Sequence, residues 1–147
     1  MIAAIDSADL SPFKFQGWEG NRLTQSYGST YDFETGRASD AHPIPEWLNP
    51  FKERAEAFAG MPSGSIVQVL VIRYDPGAGI GWHKDRPMFG RVVGISLGSE
   101  ATMRFRQRTD RGFDRVSLPL VPREAYLLGG IARSEWEHSI AAVDYLR

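Results

Sequence analysis

The sequence predicts one β-rich domain of 147 residues with a single helix on its flank. From residue 63 onward, short segments rich in β-branched residues follow one another, separated by Gly, Pro, Asp or Ser. This spacing is typical of an all-β sandwich or barrel. One helical segment comes before them, and no linker-like stretch divides the chain. We therefore expect a single domain over residues 1–147.

The region from about 16 to 40 mixes aromatic residues with Gly, Ser, Asn and Thr. This composition predicts short strands or a hairpin joined by loops. Two interpretations of its aromatic side chains stay open: half-buried strand positions, or a flexible lid that stacks on a flat substrate. The residues concerned are Trp18, Tyr27, Tyr31 and Phe33.

The segment from about 45 to 60 is the strong helix candidate. Its apolar positions recur at helical spacing and predict a stripe that packs against a sheet; they are Leu48, Phe51, Ala55 and Phe58. Either Pro45 opens the helix, or Asn49 caps it with Pro50 in the first helical position. Gly60 predicts its end.

The β-rich part of the prediction, about 63–147, consists of short strands. The segments are "SIVQVLVIRY", "RVVGISLG", "ATMRFRQR", "RVSLPLV", "EAYLLGG" and "EHSIAAV".

The composition excludes several kinds of functional site. The net charge is −1 and there is no cysteine, which excludes disulfides, zinc–thiolate sites and thiol nucleophiles. No secretory signal and no run long enough to span a membrane is evident. We expect a cytoplasmic protein with no membrane association and no obligate protein partner.

A histidine and an aspartate stand two positions apart in "GIGWHKDRP". On an extended chain, the side chains of His83 and Asp85 point to the same side. His138, in a later predicted strand, completes two histidines and one carboxylate, the facial triad of non-heme Fe(II) oxygenases. The alternatives are a hydrolytic zinc site and two unrelated histidines. Glu137 is expected to point away from His138.

A set of motifs resembles the AlkB-like family of Fe(II)/2-oxoglutarate-dependent dioxygenases. It comprises "YDPG" at 74–77, "HKD" at 83–85, "SLG" at 96–98 and "HSI" at 138–140, and the resemblance runs from about Asn21 to Arg147. It implies a double-stranded β-helix, or jelly-roll barrel, with Fe(II) held by His83, Asp85 and His138.

The resemblance also implies the cosubstrates 2-oxoglutarate and O2, with Tyr74 and Arg147 as 2-oxoglutarate contacts. The implied reaction is oxidative demethylation, the hydroxylation of an N-methyl group, on alkylated single-stranded nucleic acid, as in DNA repair. The family's aromatic lid coincides with the region of Tyr27 and Tyr31.

The family motif continues with a second arginine on a final strand, whereas this sequence ends at Arg147. We therefore expect a barrel truncated at its last strand, with an incomplete 2-oxoglutarate clamp. Two alternatives to nucleic-acid demethylation follow. One is the same chemistry on a protein or a small molecule, and the other is a non-catalytic, metal-binding jelly-roll.

Arginines alternate along the predicted strand "ATMRFRQR". Period two places Arg104, Arg106 and Arg108 on one face, with Arg111 and Arg115 following. This face is either an ordinary solvated surface or a stripe that contacts the phosphates of single-stranded nucleic acid. Arg108 and Arg111 are the candidate substrate contacts.

Overall fold

The chain divides into two units, Met1–Arg73 and Tyr74–Arg147, in this computed structural model. The structure describes residues 2–15, 18–31, 38–40 and 42–145. The helices in these ranges are α1 (Ile2–Asp6), α2 (Asn49–Phe58) and α3 (Gly130–Ser134). The strands are β1 (Ser11–Phe15), β2 (Trp18–Tyr31), β3 (Ala38–Asp40), β4 (Gln68–Tyr74), β5 (Ile80–His83), β6 (Val92–Ile95), β7 (Ala101–Thr109), β8 (Gly112–Leu120), β9 (Ala125–Leu128) and β10 (Glu137–Ile140). A single domain over 1–147 stays a prediction.

The first unit contains a sheet in the order β1-β2-β3, with β4 also pairing with β2. The antiparallel β1–β2 pair realises the hairpin predicted from the turn-rich composition. Tyr27 lies on β2, is half-buried and forms a bridge with His42, which is itself exposed. Tyr31 is the last residue of β2, and Phe33 lies outside the described residues.

Helix α2 begins at Asn49 and carries Pro50 in its first turn, where a missing backbone N–H costs nothing. A single 3₁₀ turn after Pro45 precedes it, so each proline opens a short helical segment. The helix ends just before Gly60, whose φ of 62° is the left-handed conformation that glycine adopts readily.

The buried face of α2 differs from the predicted stripe, because Phe58 is 55% exposed whereas Glu56 is 2% exposed. The Glu56 carboxylate accepts hydrogen bonds from the backbone N–H groups of Gly64 (3.0 Å) and Ile66 (2.9 Å). These two hydrogen bonds orient α2 so that the side of the helix that carries Glu56 is buried. Phe58, about half a turn further round, therefore faces outward.

The second unit holds two sheets, β5-β10-β7-β8 and β6-β9. A core cluster of Met103, Phe105, Leu120, Leu128 and Ile140 joins side chains from both of them. This arrangement is consistent with a double-stranded β-helix, and the predicted β-rich fold class is confirmed. Within the described residues, no helix is long and apolar enough to cross a membrane.

The turn before β5 is fastened to the chain after β10. The backbone N–H of Gly77 donates to the Val143 carbonyl at 2.6 Å. A Cβ added at Gly79 would lie 2.8 Å from both the Ile140 carbonyl oxygen and the Ala142 nitrogen. Because only glycine permits this approach of two backbones, Gly79 allows β5 to pair with β10.

We expect Gly79→Ala to destabilise the protein by about 1–3 kcal/mol, because the new methyl group must push β5 away from β10. Gly81→Ala, on the same strand, is the matched control, since a Cβ there meets nothing within 4 Å. Urea unfolding followed by circular dichroism measures both changes. Equal unfolding midpoints for the two variants would contradict this account.

A second expectation concerns Glu56. Its hydrogen bonds, that from Ile66 foremost, lower its pKa below the usual 4.5. Ionised Glu56 therefore stabilises the fold above that pH, and the contribution is lost as the pH falls through the lowered folded-state pKa. We expect Glu56→Gln to lower the urea midpoint at neutral pH, with a difference from the unsubstituted protein that shrinks in acid. The exposed Glu53→Gln serves as control; a pH-independent difference would refute the assignment.

Candidate metal centre

Three side chains converge within the second unit. One ligand atom from each of His83, Asp85 and His138 lies within 4.8 Å of the other two. The Asp85 Oδ1 atom is 3.7 Å from His83 Nε2 and 3.6 Å from His138 Nε2. The interpretation of the two histidines as unrelated residues is therefore wrong. Two imidazoles and one carboxylate on one side of a point form the facial arrangement of non-heme Fe(II) sites.

Strand pairing brings these residues together. His138 on β10 is the register partner of His83 at the end of β5. Directly opposed residues in an antiparallel pair project from the same face, and the two ring centroids are 4.3 Å apart. Asp85 follows His83 by two positions, so its side chain returns to that face.

A backbone carbonyl fixes the protonation pattern of His83. Its Nδ1 lies 2.8 Å from the Gly81 carbonyl oxygen, which can only accept a hydrogen bond, so Nδ1 carries the proton. Nε2, the other ring nitrogen, is then the atom directed at Asp85 Oδ1. A metal-binding histidine is oriented in this way, with one ring nitrogen on a carbonyl oxygen and the other directed at the site.

Burial gives His138 a different environment from His83. The side chain of His138 is 9% exposed, against 31% for His83. Burial, followed by the nearby His83, lowers the pKa of His138, although Asp85 acts in the opposite direction. His138 is therefore a neutral imidazole at neutral pH, which is the form that binds a metal. The more exposed His83 side leaves access for further ligands.

Arg133, which the sequence did not single out, holds the far side of Asp85. Its side chain is 7% exposed, and its Nη1 atom lies 3.7 Å from Asp85 Oδ2. Its Nη2 atom donates to the carbonyl oxygens of Arg86, at 2.6 Å, and Phe89. The two carboxylate oxygens thus have separate surroundings, with Oδ1 facing the histidines and Oδ2 facing the guanidinium.

Tyr126 is a second residue that the sequence did not single out. Burial raises its pKa to about 12, with further contributions from Tyr74 and Asp85. Its hydroxyl is therefore neutral at pH 7 and can donate a hydrogen bond. A Cβ at its register partner Gly94 would coincide with the Tyr126 ring. The sequence offered no signal of this contact, because β6 and β9 are separated by two other strands along the chain and their pairing is set by the tertiary fold.

The other predicted site residues are placed as follows. Tyr74, the last residue of β4, packs against the core cluster of the second unit. Arg108 lies on β7, and Arg111 lies in the β7–β8 turn; neither joins the three ligands. Tyr27 belongs to the first unit, and the side chain of Tyr31 is not described. Arg147 lies outside the described residues.

Glu137 points away from His138, as period two requires. It is paired in register with Arg106, and its Oε2 atom accepts a 2.6 Å hydrogen bond from Arg106 Nε. That bond lowers the pKa of Glu137. Because this carboxylate faces outward, Glu137 is not placed to act as the base that a hydrolytic zinc site would use.

The donor set fits Fe(II). Two imidazoles and a carboxylate with one converging oxygen would provide three ligands, and a six-coordinate ion would keep three positions for other ligands. When bound, Fe(II) supplies oxidation chemistry with 2-oxoglutarate and O2.

Comparison with known proteins identifies the class. A family model described as the 2OG-Fe(II) oxygenase superfamily matches residues 10–145. The chain therefore belongs to this superfamily, whose cofactor is Fe(II) and whose cosubstrates are 2-oxoglutarate and O2.

Individual curated proteins match parts or most of the chain. The chain is 33% identical over 66 residues to "Probable RNA/DNA demethylase ALKBH6" of Danio rerio, covering 44% of this chain and 28% of that protein. It is 25% identical over 166 aligned positions to "Alkylated DNA repair protein ALKBH8 homolog" of Arabidopsis thaliana, covering 95% and 46%. It is 31% identical over 80 residues to the uncharacterized protein L905 of Acanthamoeba polyphaga mimivirus, covering 53% and 38%.

The fold is shared with a solved structure of OsALKBH1, with a TM-score of 0.65 at 18% identity, covering 96% of this chain and 76% of that one. Together these findings place the chain in the 2OG-Fe(II) oxygenase superfamily and show that parts of its sequence are similar to AlkB-like proteins. The chain spans less than half the length of the curated relatives it matches.

We expect Arg133→Met to weaken Mn(II) binding by about 10- to 100-fold, because residues that orient metal ligands typically contribute that much. Without the guanidinium, the Asp85 carboxylate is free to rotate. Arg133→Lys keeps the charge but not the planar fork, so an intermediate loss is expected. Titration followed by electron paramagnetic resonance measures the affinity. The exposed Arg123→Met is the control; equal affinities for Arg133→Met and Arg123→Met would contradict the role.

Proposed function

We propose that this protein is an Fe(II)/2-oxoglutarate-dependent dioxygenase that demethylates alkylated nucleic acid oxidatively. The observation that carries the proposal is the convergence of His83, Asp85 and His138 on one face of the β5–β10 pair. Membership of the 2OG-Fe(II) oxygenase superfamily and similarity to AlkB-like proteins support the reaction type. Two of the relatives, a probable RNA/DNA demethylase and an alkylated DNA repair protein homologue, support nucleic acid as the substrate.

In the proposed reaction, an N-methyl group, 2-oxoglutarate and O2 give an N-hydroxymethyl group, succinate and CO2. The N–C bond of the hydroxymethyl group then breaks, a proton returns to the nitrogen, and formaldehyde leaves. His83, His138 and Asp85 would hold the iron, through Nε2 of each histidine and Oδ1 of the aspartate. Arg133 holds Asp85 Oδ2, which keeps Oδ1 directed at the histidines.

Tyrosine hydroxyls and arginines bind the cosubstrate and the substrate in this proposal. Tyr74 donates a hydrogen bond to 2-oxoglutarate, and Arg147 pairs with its distal carboxylate, a geometry that guanidinium groups favour. Tyr27 and Tyr31 contribute to a lid that stacks on the flipped base. Arg108 and Arg111 contact phosphates.

We expect His83→Ala and Asp85→Ala each to abolish Fe(II) and Mn(II) binding while the circular dichroism spectrum is retained, since both residues lie at the end of β5 outside the buried core cluster. The chain contains only three histidines, so His42→Ala, at an exposed position, is a matched control. Unchanged metal affinity in both triad variants would show that the triad is not the metal site.

Succinate release from 2-oxoglutarate tests the activity itself. Turnover stimulated by a methylated oligonucleotide, with formaldehyde formed in equal amount, supports nucleic-acid demethylation. If only a protein or a small molecule stimulates turnover, the substrate belongs to that class and not to nucleic acids. Metal binding with no succinate under any condition indicates a non-catalytic jelly-roll.

A further inference from the structure

One face of the β5-β10-β7-β8 sheet carries an unusual concentration of cations. We name it the arginine face and define it by Trp82, Arg104, Arg106, Arg108, Phe113 and Arg115. The strand register places these residues together, since Arg106 is paired with Arg115 and Arg108 with Phe113. The alternate residues Met103 and Phe105 are buried in the core on the opposite side.

Aromatic rings order these arginines. The guanidinium carbons of Arg104 and Arg106 lie 5.2 and 4.6 Å from the centroid of the Trp82 ring. Those of Arg106, Arg108 and Arg115 lie 4.7, 5.5 and 5.5 Å from the Phe113 ring. Such contacts hold guanidinium groups in place and leave their N–H edges for other acceptors. The rings are occupied by cations, so they serve to position arginines rather than to stack bases.

The charges of the face are not balanced within the described residues. Four arginines share one ion-paired carboxylate, that of Glu137, which bonds Arg106 at 2.6 Å. Arg106 and Arg115 are directly opposed across β7 and β8, and opposed like charges destabilise a sheet. The whole chain has a net charge of −1, so this positive charge is local. An external polyanion would relieve the repulsion.

We propose that the arginine face binds the phosphate backbone of single-stranded nucleic acid at a site separate from the metal centre. Arg104, Arg106 and Arg108 recur at alternate positions of β7, about 7 Å apart. That interval is comparable with the spacing of successive phosphates on an extended single strand. Guanidinium groups recognise phosphate oxygens through paired N–H donors, so the contacts carry no base specificity. The inference rests on the proposed function for the identity of the polyanion.

The two sites lie on opposite faces of one sheet. His138 is the partner of Phe105 on the inner face, whereas its neighbour Glu137 is the partner of Arg106 on the outer face. A sheet with its side chains is about 10 Å thick. A nucleic acid that places a base at the metal centre must therefore pass around a sheet edge before its phosphates reach the arginine face. Only an oligonucleotide of sufficient length engages both sites.

Fluorescence anisotropy with oligothymidylates of about 5 and about 20 nucleotides, measured over a range of salt concentrations, tests this surface. We expect Arg108→Gln and Arg115→Gln each to weaken binding of the longer probe about three- to tenfold. Each should reduce the slope of log affinity against log salt by about 0.7, the value for one phosphate contact on a single strand. Arg123→Gln removes an exposed arginine of the same unit away from this face and should change neither quantity.

The surface assignment is wrong if the Arg108 and Arg115 variants bind the longer probe like the Arg123 variant. It is also wrong if the short probe, which is long enough to span the alternate arginines of β7, loses no affinity in the Arg108 variant. Polyglutamate binding as tightly as oligothymidylate would overturn the assignment to nucleic acid and leave a general polyanion surface.

Metal binding and succinate release in the same variants separate this inference from the proposed function. Both should be unchanged by Arg115→Gln, because Arg115 is neither a metal ligand nor a proposed contact of the cosubstrate or the substrate. Succinate release without arginine-dependent oligonucleotide binding would overturn the proposed phosphate-binding surface and support the oxygenase. Arginine-dependent binding without succinate release under any condition would support the phosphate-binding surface and overturn the oxygenase.

Discussion

The pairing of β5 with β10 is the constraint on which the metal centre depends. It places His83 opposite His138, and Asp85 reaches the same side because it follows His83 by two residues. The pairing depends in turn on Gly79, where the Ile140–Ala142 backbone comes too close for any side chain. Gly79 lies just before β5, the strand that carries His83. By allowing β5 to approach β10, it sets the distance between the His83 and His138 imidazoles.

The same sheet has two chemically distinct faces because successive residues of a strand alternate. On β10, His138 faces inward to the ligands and Glu137 faces outward to Arg106. On β7, Phe105 packs in the core beneath His138, with ring centroids 6.2 Å apart, while Arg106 covers Trp82. Apolar packing thus supports the metal ligands from within, and the cations are confined to the side facing away from them.

Local patterns carried much of the prediction. Alternation and turn residues located the strands of the second unit, and the two-residue spacing of His83 and Asp85 placed both on one side. His138 was added as the third ligand from its residue type, and the family resemblance supported that choice. The register that places it opposite His83 was not predicted, because register between distant strands is set by tertiary packing. The helix face of Phe58 was predicted wrongly. The burial of Glu56 depends on backbone N–H groups of a later loop, and no helical periodicity encodes such a partner.

Arg133 shows most clearly what periodicity cannot supply. An arginine in a short segment after two glycines looks like a surface residue, yet its guanidinium is buried against Asp85 and two carbonyl oxygens. Burying this charge costs free energy unless a carboxylate and several acceptors compensate it. Asp85 therefore neutralises Arg133 through Oδ2 while Oδ1 faces two imidazoles. A carboxylate with its two oxygens engaged separately would bind a metal through Oδ1 alone and would leave room for a chelating cosubstrate and O2.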